Sequence, residues 1–91
     1  MPTIVIPAPL RAYTNQQKVV AVQGATIAAA VEDLVTQNPQ LRPHLYNEQG
    51  ELRAFVNLFL RGEDVRHLQG GDTVLNENDE VRIVPSVAGG R

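Results

Sequence analysis

The clearest hydrophobic pattern in the chain has the period of an α-helix. After Thr26, apolar residues recur three and four positions apart, forming a stripe of Ile27, Ala30, Val31, Leu34 and Val35. This spacing places all of them on one side of a helix, which should face the core. Thr26 can cap the helix start by accepting a backbone N–H. Pro39 should end the helix, because the residue before a proline avoids helical geometry.

Other segments carry the alternating, β-branched pattern of strands. We predict strands at Thr3–Pro7, Lys18–Val22, Leu52–Leu60 and Val81–Pro85, with a short strand or extended piece at Val65–Leu68. Residues 8–16 and 40–49 are predicted as irregular connections, the second with room for one short turn at 41–43. Residues 61–64 form a turn that contains Gly62.

The predicted order is β-β-α-β-(β)-β, with the helix laid across one face of the sheet. This is the α+β arrangement called the β-grasp, or ubiquitin-like, fold. We expect a mixed four- to five-stranded sheet with one main helix packed on one face, and the final strand between two partners. Residues 1–86 would form the domain, and residues 87–91 a flexible C-terminal tail.

The two faces of the long strand have different expected roles. Alternation turns its aliphatic face, including Val56 and Leu58, toward the helix, which leaves Phe55 and Phe59 on the open side of the sheet. Val84 should join them, with Arg53 and Arg82 at the rim. An apolar patch edged by arginines favours a docking surface for a partner. Alternatively, the 40–49 connection covers Phe55, or the faces are reversed, since a shift of one residue exchanges them.

Composition narrows the function classes. The 91 residues have a net charge of −2, no cysteine and a single lysine, Lys18. The lack of cysteine excludes a disulfide framework, a cysteine-based zinc site and a thiol nucleophile. The lack of a basic stripe argues against nucleic-acid binding. No apolar run is long enough to span a membrane and the N-terminus does not resemble a signal peptide, so we expect a cytoplasmic protein with no membrane partner.

The chain carries little that could catalyse a reaction by itself. His44 and His67 are far apart and lack ligand spacing, which favours surface or turn residues over a metal site. Ser86 has no nearby base and no nucleophile-elbow context. We therefore expect no catalytic residue, no metal and no bound cofactor.

The tail is the strongest indication of function. Ala88, Gly89 and Gly90 make its end thin enough to enter a slot that excludes side chains, because glycine has no Cβ. A glycine carboxylate is also sterically open to attack ATP and then to be attacked itself. Arg91 places one further residue after this pair.

Residues 76–90 resemble the C-terminal signature of the ThiS/MoaD family of ubiquitin-like sulfur carriers. The shared features are an acidic turn into the last strand, a proline near its end and the sequence Val-Ala-Gly-Gly. Residues 52–60 with 63–66, and residues 4–7 with 10–11, resemble the cysteine-biosynthesis branch of that family. The resemblance covers nearly the whole chain.

This resemblance implies a protein substrate rather than an enzyme. An E1-like adenylating enzyme of the MoeB/ThiF type would bind the domain, draw in the tail and adenylate Gly90 with Mg-ATP. A sulfur donor would then convert Gly90 to a thiocarboxylate. The sulfur-accepting enzyme of this branch is a pyridoxal-phosphate-dependent cysteine synthase. Phe55, Phe59, Arg82 and Val84 are the docking candidates.

Arg91 departs from the family pattern, whose members usually end at the second glycine. We expect a peptidase to remove it, and the JAMM-type metallopeptidase of the cysteine branch is a candidate. Alternatively, Arg91 is a cloning remnant, or the protein is an inactive relative. Three other functions stay open: the small subunit of molybdopterin synthase or a thiamine-pathway carrier, a ubiquitin-like protein modifier, and a β-grasp interaction module without chemistry.

Overall fold

A computed structural model describes residues 1–53 and 56–85 of the chain. Its strands are β1 (Thr3–Val5), β2 (Val19–Ala21), β3 (Val56–Leu60), β4 (Glu63–Asp64) and β5 (Glu80–Pro85). Its α-helices are α1 (Ile27–Gln37) and the single turn α2 (Arg42–Leu45). Short 3-10 helices cover Ala8–Thr14, Pro39–Leu41, Val65–His67 and Gly70–Asp72.

The strands form one mixed sheet in the order β2-β1-β5-β3-β4. β5 runs parallel to β1 and antiparallel to β3, so the last strand of the chain lies at the centre. The outer pairs, β1 with β2 and β3 with β4, are antiparallel. The predicted β-grasp arrangement is confirmed, with five strands and one main helix among residues 1–53 and 56–85.

Helix α1 covers one face of this sheet with the predicted stripe. All five stripe residues are buried, from Ile27 to Val35. Thr26 caps the helix, since its hydroxyl oxygen accepts the N–H of Ala29 at 3.2 Å. The helix ends at Gln37, before Asn38 and Pro39, as expected from the proline.

The core lies between α1 and the alternate residues of the central strands. Val56, Leu58 and Leu60 of β3 are buried, as are Val81 and Ile83 of β5. The predicted inward face of the long strand is thus correct over its described part. Leu52 is the exception: it is 36% exposed and forms an isolated bridge to Tyr46.

The turn between β3 and β4 is a two-residue hairpin. Arg61 and Gly62 both have positive φ, 53° and 81°, and Leu60 pairs directly with Glu63. A two-residue turn with positive φ at both positions has a backbone twist that fits the right-handed twist of the strands on either side. The turn is therefore shorter than the predicted span of residues 61–64, because Glu63 and Asp64 form β4.

Several predicted connections are more ordered than the sequence suggested. Residues 8–14 form a 3-10 helix rather than an irregular loop. The 40–49 connection includes α2 and buries Leu41 and Leu45 in the core. Residues 65–67, predicted as extended, form a 3-10 turn because the Asp64 carboxylate accepts the N–H of Arg66 at 2.8 Å. The described part of the long strand begins at Val56, and residues 54–55 lie outside the described residues.

Candidate functional site

The face of the sheet opposite the core carries a continuous row of side chains across all five strands. The pairings Val19–Val5, Val5–Arg82, Arg82–Phe59 and Phe59–Asp64 join one residue from each strand. These residues are exposed or half-buried, whereas their chain neighbours on the strands are largely buried. We call this row, together with Val84, the open face.

Apolar groups dominate the open face around one central arginine. Val19 and Val84 are 47% and 37% exposed. Arg82 lies between Val5 and Phe59 in the register, so both of its cross-strand neighbours are apolar. Aliphatic and aromatic groups around an arginine are typical of protein-binding surfaces.

The ion pair of Arg82 is weak. Its Nη2 lies 3.6 Å from Oε1 of Glu80, and both side chains are more than half exposed. Such surface pairs contribute between about 0 and 1 kcal/mol to stability. Arg82 can therefore exchange Glu80 for a carboxylate of a partner at little cost.

A second arginine near the open face is held more firmly. Arg61 Nη2 donates to Asp79 Oδ2 at 2.7 Å, and the same oxygen accepts the N–H of Asn76 at 2.7 Å. The Asp79 side chain is only 12% exposed. Asp79 thus fixes the turn that leads into β5, and it anchors Arg61 at the rim.

A groove of about 510 Å³ runs along this part of the face. Phe59 and Val84 supply its apolar lining, while Arg61, Arg82 and Glu80 supply charges of both signs. The groove lies beside β5, the strand that precedes the tail in the sequence.

Asp64 lies at the far end of the open face. The backbone N–H of Arg66, and then its side chain, lower the pKa of Asp64, so this carboxylate stays ionised.

The structure places three of the docking candidates on one face, and their docking role stays a prediction. Phe59 and Val84 share the open face, as expected. Arg82, expected at the rim, instead lies at the centre of the row, because β5 is the central strand and pairs Arg82 with both Val5 and Phe59. Phe55 and the tail residues Ala88, Gly89, Gly90 and Arg91 lie outside the described residues.

Arg53, expected at the rim of this face, instead lies against α2. Its Nε donates to the carbonyl oxygen of Pro43 at 2.9 Å. The backbone of Arg53 is held on the same side, since its N–H donates to the carbonyl oxygen of Leu45 at 2.9 Å.

Two residues of the open face were not recognised as site candidates in the sequence. Val5 and Val19 complete the apolar surround of Arg82 on β1 and β2. Alternation already placed Val5 opposite Ile4 and Ile6. Its proximity to Arg82 depends on the parallel β1–β5 pairing, which the sequence pattern does not specify.

Neither histidine is among the residues of the open face: His67 lies in the 3-10 turn at 65–67, and His44 lies on α2. The His44 ring stacks on Tyr13 with a centroid distance of 4.2 Å. Nearby, Arg42 lies 5.5 Å from the ring centre of Tyr46, and burial raises the pKa of that tyrosine.

Within residues 1–53 and 56–85, no group of three or more histidine, aspartate or glutamate side chains is placed to hold a metal ion. No helix of this described part is long and apolar enough to cross a membrane.

Strand β5 ends at the last residue that the structure describes. Pro85, the last described residue, pairs with Val56 in the sheet, and Gly90 comes five residues later. The ThiS family model matches residues 4–90, nearly the whole chain, and the match ends at Gly90. The chain belongs to the ThiS family.

Two similar proteins are named as a sulfur carrier and as a modifier. The sulfur carrier protein CysO of Mycobacterium tuberculosis is 38% identical over 90 residues, which cover 97% of each chain. Small archaeal modifier protein 3 of Haloferax volcanii is 36% identical over 66 residues, which cover 72% of this chain and 71% of that protein.

A solved structure agrees in fold over the full length. CysO in the BexX/CysO complex of Amycolatopsis orientalis superposes with a TM-score of 0.88 at 32% identity, covering 99% of this chain and 100% of that one. This ThiS family member therefore has the ubiquitin-like β-grasp fold of the sulfur carriers and ubiquitin-like modifiers.

Proposed function

We propose that this protein carries sulfur as a thiocarboxylate on Gly90 and delivers it for cysteine biosynthesis. The observation that carries the proposal is the similarity to CysO over 97% of the chain, together with a family match that ends at Gly90. The domain would comprise residues 1–86, and residues 87–91 would be the reactive arm.

The chemistry needs three steps. A peptidase first hydrolyses the Gly90–Arg91 bond and frees the Gly90 carboxylate. A carboxylate oxygen then attacks the α-phosphorus of Mg-ATP in an E1-like enzyme, and pyrophosphate leaves. Finally, a sulfide equivalent attacks the acyl carbon of the adenylate, AMP leaves, and the thiocarboxylate remains. Adenylation is required because the free carboxylate has no good leaving group.

The open face supports the docking part of this proposal. Phe59 and Val84 offer apolar contact beside β5, and the weakly paired Arg82 offers a charge for a partner carboxylate. The five residues after Pro85 can span at most about 17 Å, so the activating enzyme must hold the domain close to its ATP site. A docking surface beside β5 meets that requirement. Phe55 is proposed as a further contact on the basis of strand position alone.

The sulfur acceptor that we propose is a pyridoxal-phosphate-dependent cysteine synthase. A thiocarboxylate is a soft nucleophile, and its enzyme must shield it from water during transfer. The JAMM-type metallopeptidase proposed for Arg91 removal would also free the cysteine from the carrier.

The test is the intact mass of the carrier before and after incubation with an E1-like enzyme, Mg-ATP and sulfide. We expect loss of arginine in the presence of the peptidase, then exchange of one oxygen for sulfur at Gly90. Gly90→Val should fold normally but fail to be activated, whereas Ala88→Gly keeps the tail thin and should remain a substrate. Activation of Gly90→Val at the native rate would refute the assignment of Gly90.

A second candidate function is protein modification. The similarity to small archaeal modifier protein 3 favours it, because that protein is named as a modifier. In this case the Gly90 adenylate would be attacked by lysine amines of other proteins. Isopeptide-linked adducts in cell extracts, without any thiocarboxylate, would favour this function over sulfur transfer.

A further inference from the structure

Strand β2 has backbone groups that point out of the sheet. It is the first strand in the sheet order, so its outer side has no strand neighbour among the described residues. The carbonyl oxygen of Lys18 and the N–H of Val22 form hydrogen bonds toward the chain of β1, at 2.8 and 3.0 Å. Because these groups alternate in direction along an antiparallel strand, those of Val19, Ala21 and Gln23 point away from β1.

The sequence of this edge lacks the features that commonly prevent pairing with another chain. Residues 19–22 read Val-Val-Ala-Val, with no charge and no proline, and Val19 and Ala21 are exposed. Uncharged, β-branched edge strands are templates for pairing with other strands. The opposite edge is different, because β4 has only two residues, Glu63 and Asp64, and both are acidic. The edge at risk is therefore β2.

Two side chains of α1 cover part of this edge. Asp33 Oδ2 accepts the N–H of Gln23 at 2.9 Å, and Gln37 Nε2 donates to the carbonyl oxygen of Ala21 at 3.0 Å. Gln37 Nε2 also donates to Asp33 Oδ2 at 2.8 Å, which joins the two side chains. Their spacing of four residues places both on one side of the helix. We call Asp33 and Gln37 the edge clasp.

The surroundings of Gln37 determine the orientation of its amide. Its two neighbours, the carbonyl oxygen of Ala21 and the carboxylate of Asp33, are both hydrogen-bond acceptors. The amide must therefore present its NH2 group to them rather than its oxygen. Each of the two N–H bonds of that group has its own acceptor, so the edge clasp forms a closed network with β2.

The backbone groups that the edge clasp occupies are those that a second copy would need. Two β2 strands paired antiparallel about a two-fold axis at Ala21 would place each Ala21 opposite its copy, and each Val19 opposite a Gln23. Most of the hydrogen bonds in that pairing use either the carbonyl oxygen of Ala21 or the N–H of Gln23. Both groups are already bonded to the edge clasp.

We propose that the edge clasp keeps this protein monomeric by closing the outer edge of β2 to a second copy of the chain. A second copy is the partner to exclude, because its edge has the same outward backbone groups and the same uncharged side chains. With β2 closed and β4 short and acidic, the open face is the part of the sheet left for other proteins. This role does not depend on the sulfur chemistry proposed above.

The test compares two double variants of α1 by sedimentation velocity over a series of protein concentrations. Asp33→Ala with Gln37→Ala removes the edge clasp. The matched control, Glu32→Ala with Thr36→Ala, removes one acidic and one neutral side chain one residue earlier on the same helix. These two side chains bond to Arg42 and within α1 rather than to β2. Alanine favours the helix at all four positions, so both variants should fold, which circular dichroism checks.

We expect the native protein and the control to remain monomeric and the clasp variant to dimerise. Its dimer dissociation constant should be at least about tenfold lower than that of the control, because the freed backbone groups gain hydrogen bonds to the copy. Amide hydrogen exchange locates the contact. Exchange at Val19 and Ala21 should be slower in the dimer than in the native monomer, and Gln23 should exchange slowly in the native protein.

Several results would overturn the proposal. They are a folded clasp variant that associates no more than the control, a dimer that protects amides of strands other than β2, and a native protein that dimerises through β2. Fast exchange of Gln23 in the native protein would show that Asp33 does not hold this edge. If the double variant does not fold, Gln37→Ala alone frees the carbonyl oxygen of Ala21 and should shift association in the same direction, with Thr36→Ala as its control.

Discussion

Replacing Phe59 by alanine should weaken partner binding more than it weakens the fold. Phe59 is half-buried on the open face, where it pairs with Arg82 and Asp64 across the neighbouring strands. Each of these two cross-strand pairs contributes about 0.2–1 kcal/mol to stability, so losing both costs at most about 2 kcal/mol. For a domain of this size, that loss lowers the melting temperature by at most about 8–16 °C. As a central apolar anchor of an interface, the same side chain should contribute about 2 kcal/mol or more to binding, close to thirtyfold in Kd.

The adjacent residue provides the matched control. Leu58 precedes Phe59 on β3, faces the core and is 2% exposed. Leu58→Ala removes buried volume and should cost about 2–5 kcal/mol of unfolding free energy. Below its melting temperature, the folded Leu58→Ala protein should bind with nearly native affinity.

The assay pairs thermal unfolding of each variant with calorimetric titration into an E1-like adenylating enzyme. Phe59→Ala should bind the enzyme more weakly than Leu58→Ala does. Leu58→Ala should in turn unfold at a lower temperature than Phe59→Ala. Native affinity for Phe59→Ala, or a loss of stability equal to that of Leu58→Ala, would refute the assignment of the open face as the docking surface.

Three further changes test the local structure. A Cβ on Gly24 would lie 2.6 Å from the backbone nitrogen of Ala30, so Gly24→Ala should cost about 1–3 kcal/mol in urea unfolding. Thr26→Ala removes the cap of α1 and should lower the unfolding free energy by about 1 kcal/mol, whereas Thr26→Ser should keep most of the capping energy. Equal melting temperatures for Thr26→Ala and Thr26→Ser would contradict the role of the hydroxyl as a cap. Because the N–H of Arg66 lowers the pKa of Asp64, its carboxylate stabilises the fold fully above about pH 4 and loses that effect as the pH falls through the lowered pKa. Asp64→Asn should therefore show a smaller loss of stability below about pH 4 than the native protein, measured by urea midpoints across that range.

The helix and the inward strand faces were predictable because each depends on a period within one segment. The five-residue stripe of α1 is spaced for one helix side whatever the rest of the chain does, and all five residues are buried. The same holds for Val56, Leu58 and Leu60, whose alternation alone identifies the core face. Burial of apolar surface then selects the register in which these faces meet.

The short elements were not predictable, because contacts outside the segment determine them. The 3-10 helix at 8–14 has no apolar period, and it ends where Asn15 and Gln16 adopt positive φ values that the local sequence does not require. The strand β4 has only two residues and exists because the tight turn at Arg61–Gly62 returns the chain onto Leu60. The 40–49 connection buries Leu41 and Leu45 only because the core leaves space for them.

The position of Arg82 is a property of the sheet rather than of its strand. Alternation predicts that Arg82 points away from the core, but its apolar neighbours, Val5 and Phe59, come from a parallel pairing and an antiparallel pairing formed independently. A slip of one residue in either ladder would place a core residue beside it instead. The sequence could therefore identify Arg82 as a docking candidate. It is the central position of β5 that brings this arginine between two apolar side chains. The same central position puts the proposed docking surface on the strand whose last described residue, Pro85, lies five residues before Gly90. A partner that binds the open face would therefore also limit how far Gly90 can reach.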